Sequence, residues 1–228
     1  TLALKDVSFD IKKGDFVALV GPSGCGKTTI LSLLSGLINA SSGEILVNNE
    51  KPNKKSKVIG YMFQKDNLLP WRTVEKNLYV GLEIQHSNTE EKRNYALSLL
   101  KKYGLENFKT KRPDELSGGM RQRVSLIRTL ALNPEILLLD EPFSALDFQT
   151  RLKVCDDVLK ILKDEKKTAL LVTHDIYEAV SMADKIIVLS ARPATVKNVH
   201  TLTFARDKTP FERRDTKEAT ELFQKIWS

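Results

Sequence analysis

The 228-residue chain has only two cysteines, Cys25 and Cys155. Two thiols do not make a disulfide framework, and their scarcity fits a reducing, cytosolic setting. No apolar run approaches the roughly 18 residues a membrane helix needs, so no bilayer-spanning helix is expected. A secretory leader is not expected either, because Lys5 and Asp6 interrupt the first apolar residues. The chain also lacks an initiator Met, so its numbering is expected to begin inside a longer protein. Aromatic residues are 7% of the total and are not interleaved with the basic ones. A platform for stacking bases needs that interleaving. Lysines and arginines number 36 against 29 acidic residues, a net charge of +7. The excess is scattered, as at Lys109-Lys111-Arg112 and Arg213-Arg214-Lys217, which reads as a solvated surface and not a nucleic-acid footprint. Repeats, low-complexity tracts and linkers are missing too. One domain spanning 1–228 is therefore expected.

What the chain does have is a glycine-rich run, Gly21-Pro22-Ser23-Gly24-Cys25-Gly26-Lys27-Thr28-Thr29. It fits G-x-x-x-x-G-K-[ST], lies after the apolar stretch Phe16 to Val20, and precedes a helix-permissive segment from Ile30 to Leu37. Strand, loop and helix in that order are the context a phosphate-binding P-loop requires. Glycines let successive N–H groups point into one concavity, and the following helix adds the positive end of its dipole. Lys27 supplies a point charge for the β- and γ-phosphates of ATP, and Thr28 offers a hydroxyl to Mg²⁺. Cys25 reads as a small residue tolerated in the loop.

The rest of the chain alternates. Residues 1–20 read as strands with a Lys12-Lys13-Gly14-Asp15 turn, Glu44 to Asn48 as a short strand with an Asn48-Asn49 turn, and Val58 to Phe63 as another strand. From about 66 to 130 the pattern turns helical. Thr73 is placed to cap a helix through Leu82, and Glu90 to Tyr103 is amphipathic, with Gly104 as its stop. Beyond 124 come a helix to Leu132, strands at 136–139, 169–173 and 186–189, and helices at 151–163 and 176–182. The tail, from about 191 to 228, ends in a helix from Lys217 to Trp227.

Three segments narrow the P-loop's meaning. Ile136-Leu137-Leu138-Leu139 is an all-apolar strand that delivers Asp140 and Glu141 to its C-terminal end, where α/β sheets place ligands. Asp140 suits a Mg²⁺ shell, and Glu141 is placed to polarise a water in line with the γ-phosphate. Ser117-Gly118-Gly119 opens a helix and makes a second anion-seeking N-terminus. One triphosphate site with two phosphate-seeking helix ends suggests a site completed by another copy. The third segment, Val172-Thr173-His174-Asp175, ends a strand on a histidine.

In this order, the segments resemble the nucleotide-binding subunit of ATP-binding cassette (ABC) transporters, from about Leu4 to Leu189. The resemblance implies an α/β P-loop NTPase core with an N-terminal antiparallel β subdomain and an inserted α-helical signature subdomain. Leu116 to Met120 is similar to the family's LSGGQ signature, with Met120 in place of Gln. In the family this motif closes over the ATP held by a partner's P-loop, which implies a dimer. The resemblance makes His174 the switch histidine, makes Gln64 the Q-loop glutamine that contacts Mg²⁺ and the attacking water, and makes Ser144 to Asp147 the D-loop. The family's adenine-stacking aromatic is expected at or before Thr1, since Phe9 lies too close to the loop.

The resemblance further implies transmembrane permease subunits, with Asn67 to Thr73 as the docking region and Trp71 as an aromatic anchor. A peripheral place on the cytoplasmic face of the membrane follows, with a substrate-binding protein as an indirect partner. Leu69 to Val74 and Ala191 to Ala194 resemble importers of nitrate, sulfonates, taurine and thiamine-precursor pyrimidines. The competing reading is a soluble, non-transport ABC ATPase, which predicts tandem cassettes, a coiled-coil insertion or a basic arm. An unrelated P-loop GTPase would need an Asn-Lys-x-Asp segment, which the chain lacks.

Overall fold

The computed structural model describes residues 2–204 and 207–227. Among them, six strands form one sheet: β1 (Phe16–Val20), β2 (Ile59–Met62), β3 (Ile136–Asp140), β4 (Thr168–Thr173), β5 (Lys185–Leu189) and β6 (Val196–Thr201). Their spatial order is β2-β3-β4-β1-β5-β6. The first five run parallel and β6 pairs antiparallel with β5. Every residue of β1 and β4 is buried, as a sheet covered on both faces demands.

The two faces can be read off β1. Val17 and Leu19 pack with Ile30 and Leu31 of α1 (Lys27–Leu34). Ala18 and Val20 point the other way, into the core under α4 (Gly118–Leu130), α5 (Phe148–Asp164) and α6 (Ile176–Met182). Leu126, Leu130 and Leu139 are fully enclosed there, each worth roughly 2 kcal/mol relative to exposure. α2 (Val74–Ile84) and α3 (Glu90–Lys102) pack with α4 to form a helical block inserted between β2 and β3. The tail adds α7 (Pro210–Arg214) and α8 (Lys217–Trp227) against α6.

Helix ends follow local chemistry. The Thr73 and Thr89 side chains accept the Lys76 and Lys92 N–H groups at the starts of α2 and α3. α3 carries Glu90 and Glu91 in its first turn and Lys101 and Lys102 in its last, the polarity its dipole favours. Gly104 sits beyond its end at φ 72°.

The sequence reading and the structure part company in three places. Residues 4–13, expected as strands of an N-terminal antiparallel β subdomain, run with a single isolated bridge, Leu4 to Ala194, which is parallel. With Leu34, Ile59 and Leu138, their side chains at Leu4, Val7 and Phe9 line a cavity of 620 Å³. The strand expected at Glu44 to Asn48 is reduced to one antiparallel bridge, Val47 to Glu50, around Asn48 and Asn49, both at positive φ. The third difference is in the tail, where β6 and α7 are additions to the expected pattern. The adenine-stacking position expected at or before Thr1 lies outside the described residues. Among those residues, no helix is long and apolar enough to cross a membrane.

Candidate functional site

Parallel register gathers the expected residues at one edge of the sheet. Val20 pairs with Thr173, Asp140 with Val172, and Met62 with Leu139. The P-loop after β1, the carboxylates after β3, His174 after β4 and Gln64 after β2 therefore all emerge on the same side. β4 lies between the P-loop strand and the Asp140 strand, which places the histidine loop centrally.

In the P-loop, Gly24 (φ 74°) and Gly26 (φ 118°) hold the left-handed conformations that let the chain curl into α1. Gly26 is the N-cap of that helix and makes no side-chain cap, so the first N–H groups are capped by no side chain at that position. Cys25 is buried, and its Sγ sits where a side chain on Gly21 would have to go, 3.0 Å from the ideal Cβ. Lys27 is buried and folds back over the loop, donating to the carbonyls of Gly21 (2.8 Å) and Pro22 (2.9 Å). Pro22, Ser23 and Thr28 are exposed at the mouth, and Thr29 is half-buried beneath.

The carboxylate pair divides by environment. Tyr61, across from Leu138 on β2, donates its hydroxyl to Asp140 Oδ2 at 3.0 Å. Burial pushes the Asp140 carboxyl above the ordinary carboxylate range. The Tyr61 hydrogen bond opposes that rise, the neighbouring Glu141 charge adds to it, and the Lys27 charge opposes it. Burial, with the Asp140 charge behind it, raises the Tyr61 phenol as well, so it stays a donor. Glu141 has left the strand and stands at φ 44°, a left-handed conformation that costs a non-glycine residue about 1–2 kcal/mol. Its N–H donates to the carbonyl of Val172 at 2.9 Å. Its Oε2 lies 3.1 Å from Nδ1 of His174, whose side chain is 59% exposed. Gln64 donates to Ser144 Oγ (3.1 Å), and that hydroxyl donates to the Glu141 carbonyl (3.0 Å). The structure thus brings Glu141, His174 and Gln64 into one network.

Ser117, Gly118 and Gly119 stand apart from it. Ser117 caps α4 by accepting the Met120 N–H, and no hydrogen bond or ion pair joins the three to the P-loop among the described residues. The glycines serve close packing here: a Cβ on Gly118 would meet Leu146 at 3.1 Å, and one on Gly119 would meet Val154 at 2.8 Å.

The 67–73 segment is a presented loop. Trp71 is 69% exposed, on the surface and not in the core. Beneath it Asn77, fully buried, accepts the Leu69 N–H (2.7 Å) and donates to the carbonyls of Leu69, Arg72 and Thr73 at 3.0–3.2 Å. Arg121, Ser125 and Arg128 of α4 fix Asp66 and Asn67 just upstream. Asn77 and Tyr61 escaped sequence reasoning. An Asn on the apolar face of a helix is a signal that could have been seen, whereas the Tyr61 contact depends on strand register.

The donors suit Mg²⁺. Asp140 uses Oδ2 for Tyr61 and keeps Oδ1, while the Thr28 hydroxyl and Gln64 amide are hard oxygen donors. Among the described residues, no group of three His, Cys, Asp or Glu side chains could hold a metal ion. A cation here would take its remaining ligands from phosphate and water, as Mg²⁺ commonly does.

Comparison with known proteins agrees with the geometry. The ABC transporter family profile matches residues 4–144. The uncharacterized ABC transporter ATP-binding protein YtlC of Bacillus subtilis (strain 168) is 50% identical over 228 residues, covering 100% of this chain and 88% of its own. The aliphatic sulfonates import ATP-binding protein SsuB of Bacillus cereus (strain ZK / E33L) is 38% identical, covering 97% and 85%. The taurine import ATP-binding protein TauB of Yersinia pestis bv. Antiqua (strain Antiqua) is 44% identical, covering 90% and 80%. Among solved structures, a chain from the dimeric structure of MJ0796, a bacterial ABC transporter cassette, superposes with TM-score 0.72 at 38% identity, covering 88% and 90%. The same cassette bound to ADP and Pi in a post-hydrolysis state gives TM-score 0.71 at 36% identity, with the same coverage. Motifs, sheet order and relatives coincide: the chain belongs to the ABC transporter family, as one of its ATP-hydrolysing cassettes.

Proposed function

We propose that the chain is the energy-coupling subunit of an ABC importer for small anions or organic molecules, such as nitrate, sulfonates, taurine or thiamine-precursor pyrimidines. It works as a dimer, with a second copy as the simplest partner. The relatives named for sulfonate and taurine import support the substrate class. The observation that carries the mechanism is the Glu141–His174 contact at 3.1 Å, at the strand ends beside the P-loop.

The P-loop N–H groups and Lys27 hold the β- and γ-phosphates, with Lys27 exchanging its contacts to the Gly21 and Pro22 carbonyls for phosphate oxygens. Thr28, Asp140 and Gln64 are the residues that would hold Mg²⁺, which when bound neutralises charge on the phosphates. Glu141 aims a water at the γ-phosphorus and receives its proton as the new P–O bond forms and the bond to the β,γ-bridging oxygen breaks. His174, in contact with Glu141 and open to solvent, faces the γ-phosphate. Ser117, Gly118 and Gly119 stay clear of their own P-loop and are presented to the ATP of a second cassette. Two ATP molecules then link the copies, and hydrolysis removes the link.

The helical block, about 66–130, passes closure to separate permease subunits through the Trp71 loop, at the cytoplasmic face of the membrane. A substrate-binding protein acts only through those permeases. The test is Glu141→Gln: ATP binding kept, hydrolysis lost and an ATP-bound dimer accumulating on size exclusion. Turnover comparable to the native chain would remove the role given to Glu141.

A further inference from the structure

Arg151, in the first turn of α5, reaches two loops at once. Its Nη2 donates to the carbonyl of Leu146 (3.0 Å), inside the Ser144–Asp147 segment. Its Nη1 lies 3.3 Å from Asp175 Oδ2 and 3.7 Å from Glu178 Oε1. Both carboxylates bear on His174. Asp175 follows it and caps α6, accepting the Tyr177 and Glu178 N–H groups. Glu178 is buried and accepts the hydroxyl of Thr173, the residue before the histidine, at 2.7 Å. Thr173 Oγ1 in turn accepts the Asp175 N–H at 3.0 Å. The backbone on each side of His174 is therefore pinned, and the pins end on one guanidinium. Among the described residues its buried Nε has no hydrogen-bond partner. A planar fork can serve two loops in fixed geometry, and a lysine ammonium cannot.

We infer that Arg151 is a positioning residue that ties the Ser144–Asp147 loop to the His174 loop, so that a displacement of the first by a second cassette is felt at the histidine. This rests on the proposed function, in which a second copy closes over the ATP at the sheet edge from which the Ser144–Asp147 loop also emerges. The tie closes a circuit with the contacts already described: Ser144 bonds the Glu141 carbonyl, and Glu141 meets His174. Arg151 touches no nucleotide. Its effect belongs on turnover, not on ATP affinity.

The experiment uses the purified chain and follows ATP binding, turnover and thermal melting in four forms: native, Arg151→Lys, Asp175→Asn and the double variant. Asparagine caps a helix as well as aspartate does, so Asp175→Asn keeps α6 while removing the charge. The expected result is at least a tenfold loss of turnover in each single variant, ATP affinity within twofold of native, and a double variant no slower than the slower single. Strictly additive losses, or native turnover in a folded Arg151→Lys, would overturn the tie. If Arg151→Lys melts early, Asp175→Asn alone decides, since native turnover there refutes the inference. Failure of the native chain to hydrolyse ATP would instead strike the proposed function, so the two failures are separable.

Discussion

Glu178→Gln isolates the energetic cost of burying one carboxylate behind the histidine loop. Glu178 is 6% exposed and its carboxyl is pushed up to about 7 from the ordinary 4.5. Burial is the main cause. The Thr173 hydroxyl opposes it, the Asp175 charge adds to it, and the charges of Arg151 and His174 oppose it. Cys155 of α5, buried on the same side, feels the Glu178 charge in return. Because the folded protein holds this proton more tightly than the unfolded chain, the contribution to stability is complete below about pH 4.5 and lost as pH rises through 7. Each tenfold difference in proton affinity is worth about 1.4 kcal/mol, so the loss from acid to alkaline pH is about 3 kcal/mol. Glutamine keeps an oxygen for the Thr173 hydroxyl and cannot ionise. Urea or calorimetric unfolding of both proteins from pH 5 to pH 9 should therefore diverge. The variant should be close to native at pH 5 and gain about 3 kcal/mol on it by pH 9, roughly 6–12 °C in melting temperature for a chain this size. Parallel pH curves would refute this account and mean that the carboxylate is fully solvated or fully neutralised by Arg151.

Three further outcomes follow from particular contacts. Lys27→Ala removes the ammonium over the P-loop. Calorimetric ATP affinity should fall roughly 10- to 100-fold, the range for a lost charge-assisted hydrogen bond, and an unchanged dissociation constant would count against the P-loop assignment. Asn77→Ala removes the partner of the Leu69 N–H and of the Arg72 carbonyl, while the Leu69 and Thr73 carbonyls keep the Arg72 and Asn77 N–H groups, so urea titration should show about 3 kcal/mol of destabilisation. Gly119→Ala forces a methyl to 2.8 Å from Val154 and 3.0 Å from Thr150. Overpacking of this kind costs about 1–3 kcal/mol, and a melting temperature equal to native would show that α4 and α5 separate freely.

The parts legible in the sequence were those whose signal is local. All-apolar runs marked β1, β3 and β4, whose two faces are both covered. Thr73 and Gly104 marked helix ends because caps act within one turn. β6 was not legible: on the sheet's edge only one of its faces meets the protein, and Val196-Lys197-Asn198-Val199 shows no alternation to read. α7 is only five residues long, too short for periodicity, although Thr209, Pro210 and Glu212 form a capping box that could have announced it. In the candidate site, spacing found the residues and register found their partners. Tyr61 bonds Asp140 only because β2 lies beside β3 in the pairing Tyr61 to Leu138, a relation 79 residues long. The expected N-terminal strands fail on the converse: an extended, alternating segment is a strand only when its backbone is paired, and residues 4–13 make a single bridge, Leu4 to Ala194.

The exposure of Trp71 also gives the protein an optical property. The chain has two tryptophans. The other, Trp227, is 75% exposed at the end of α8 and stacked on Phe223. Neither indole sits in the core, so the emission of the folded protein is already that of a wetted ring, and unfolding changes its colour little. Trp227→Phe leaves Trp71 as a single fluorophore on the loop that Asn77 holds. Its emission would then turn blue only when another surface covers that loop, which makes the tryptophan a built-in, label-free gauge of contact at that one place.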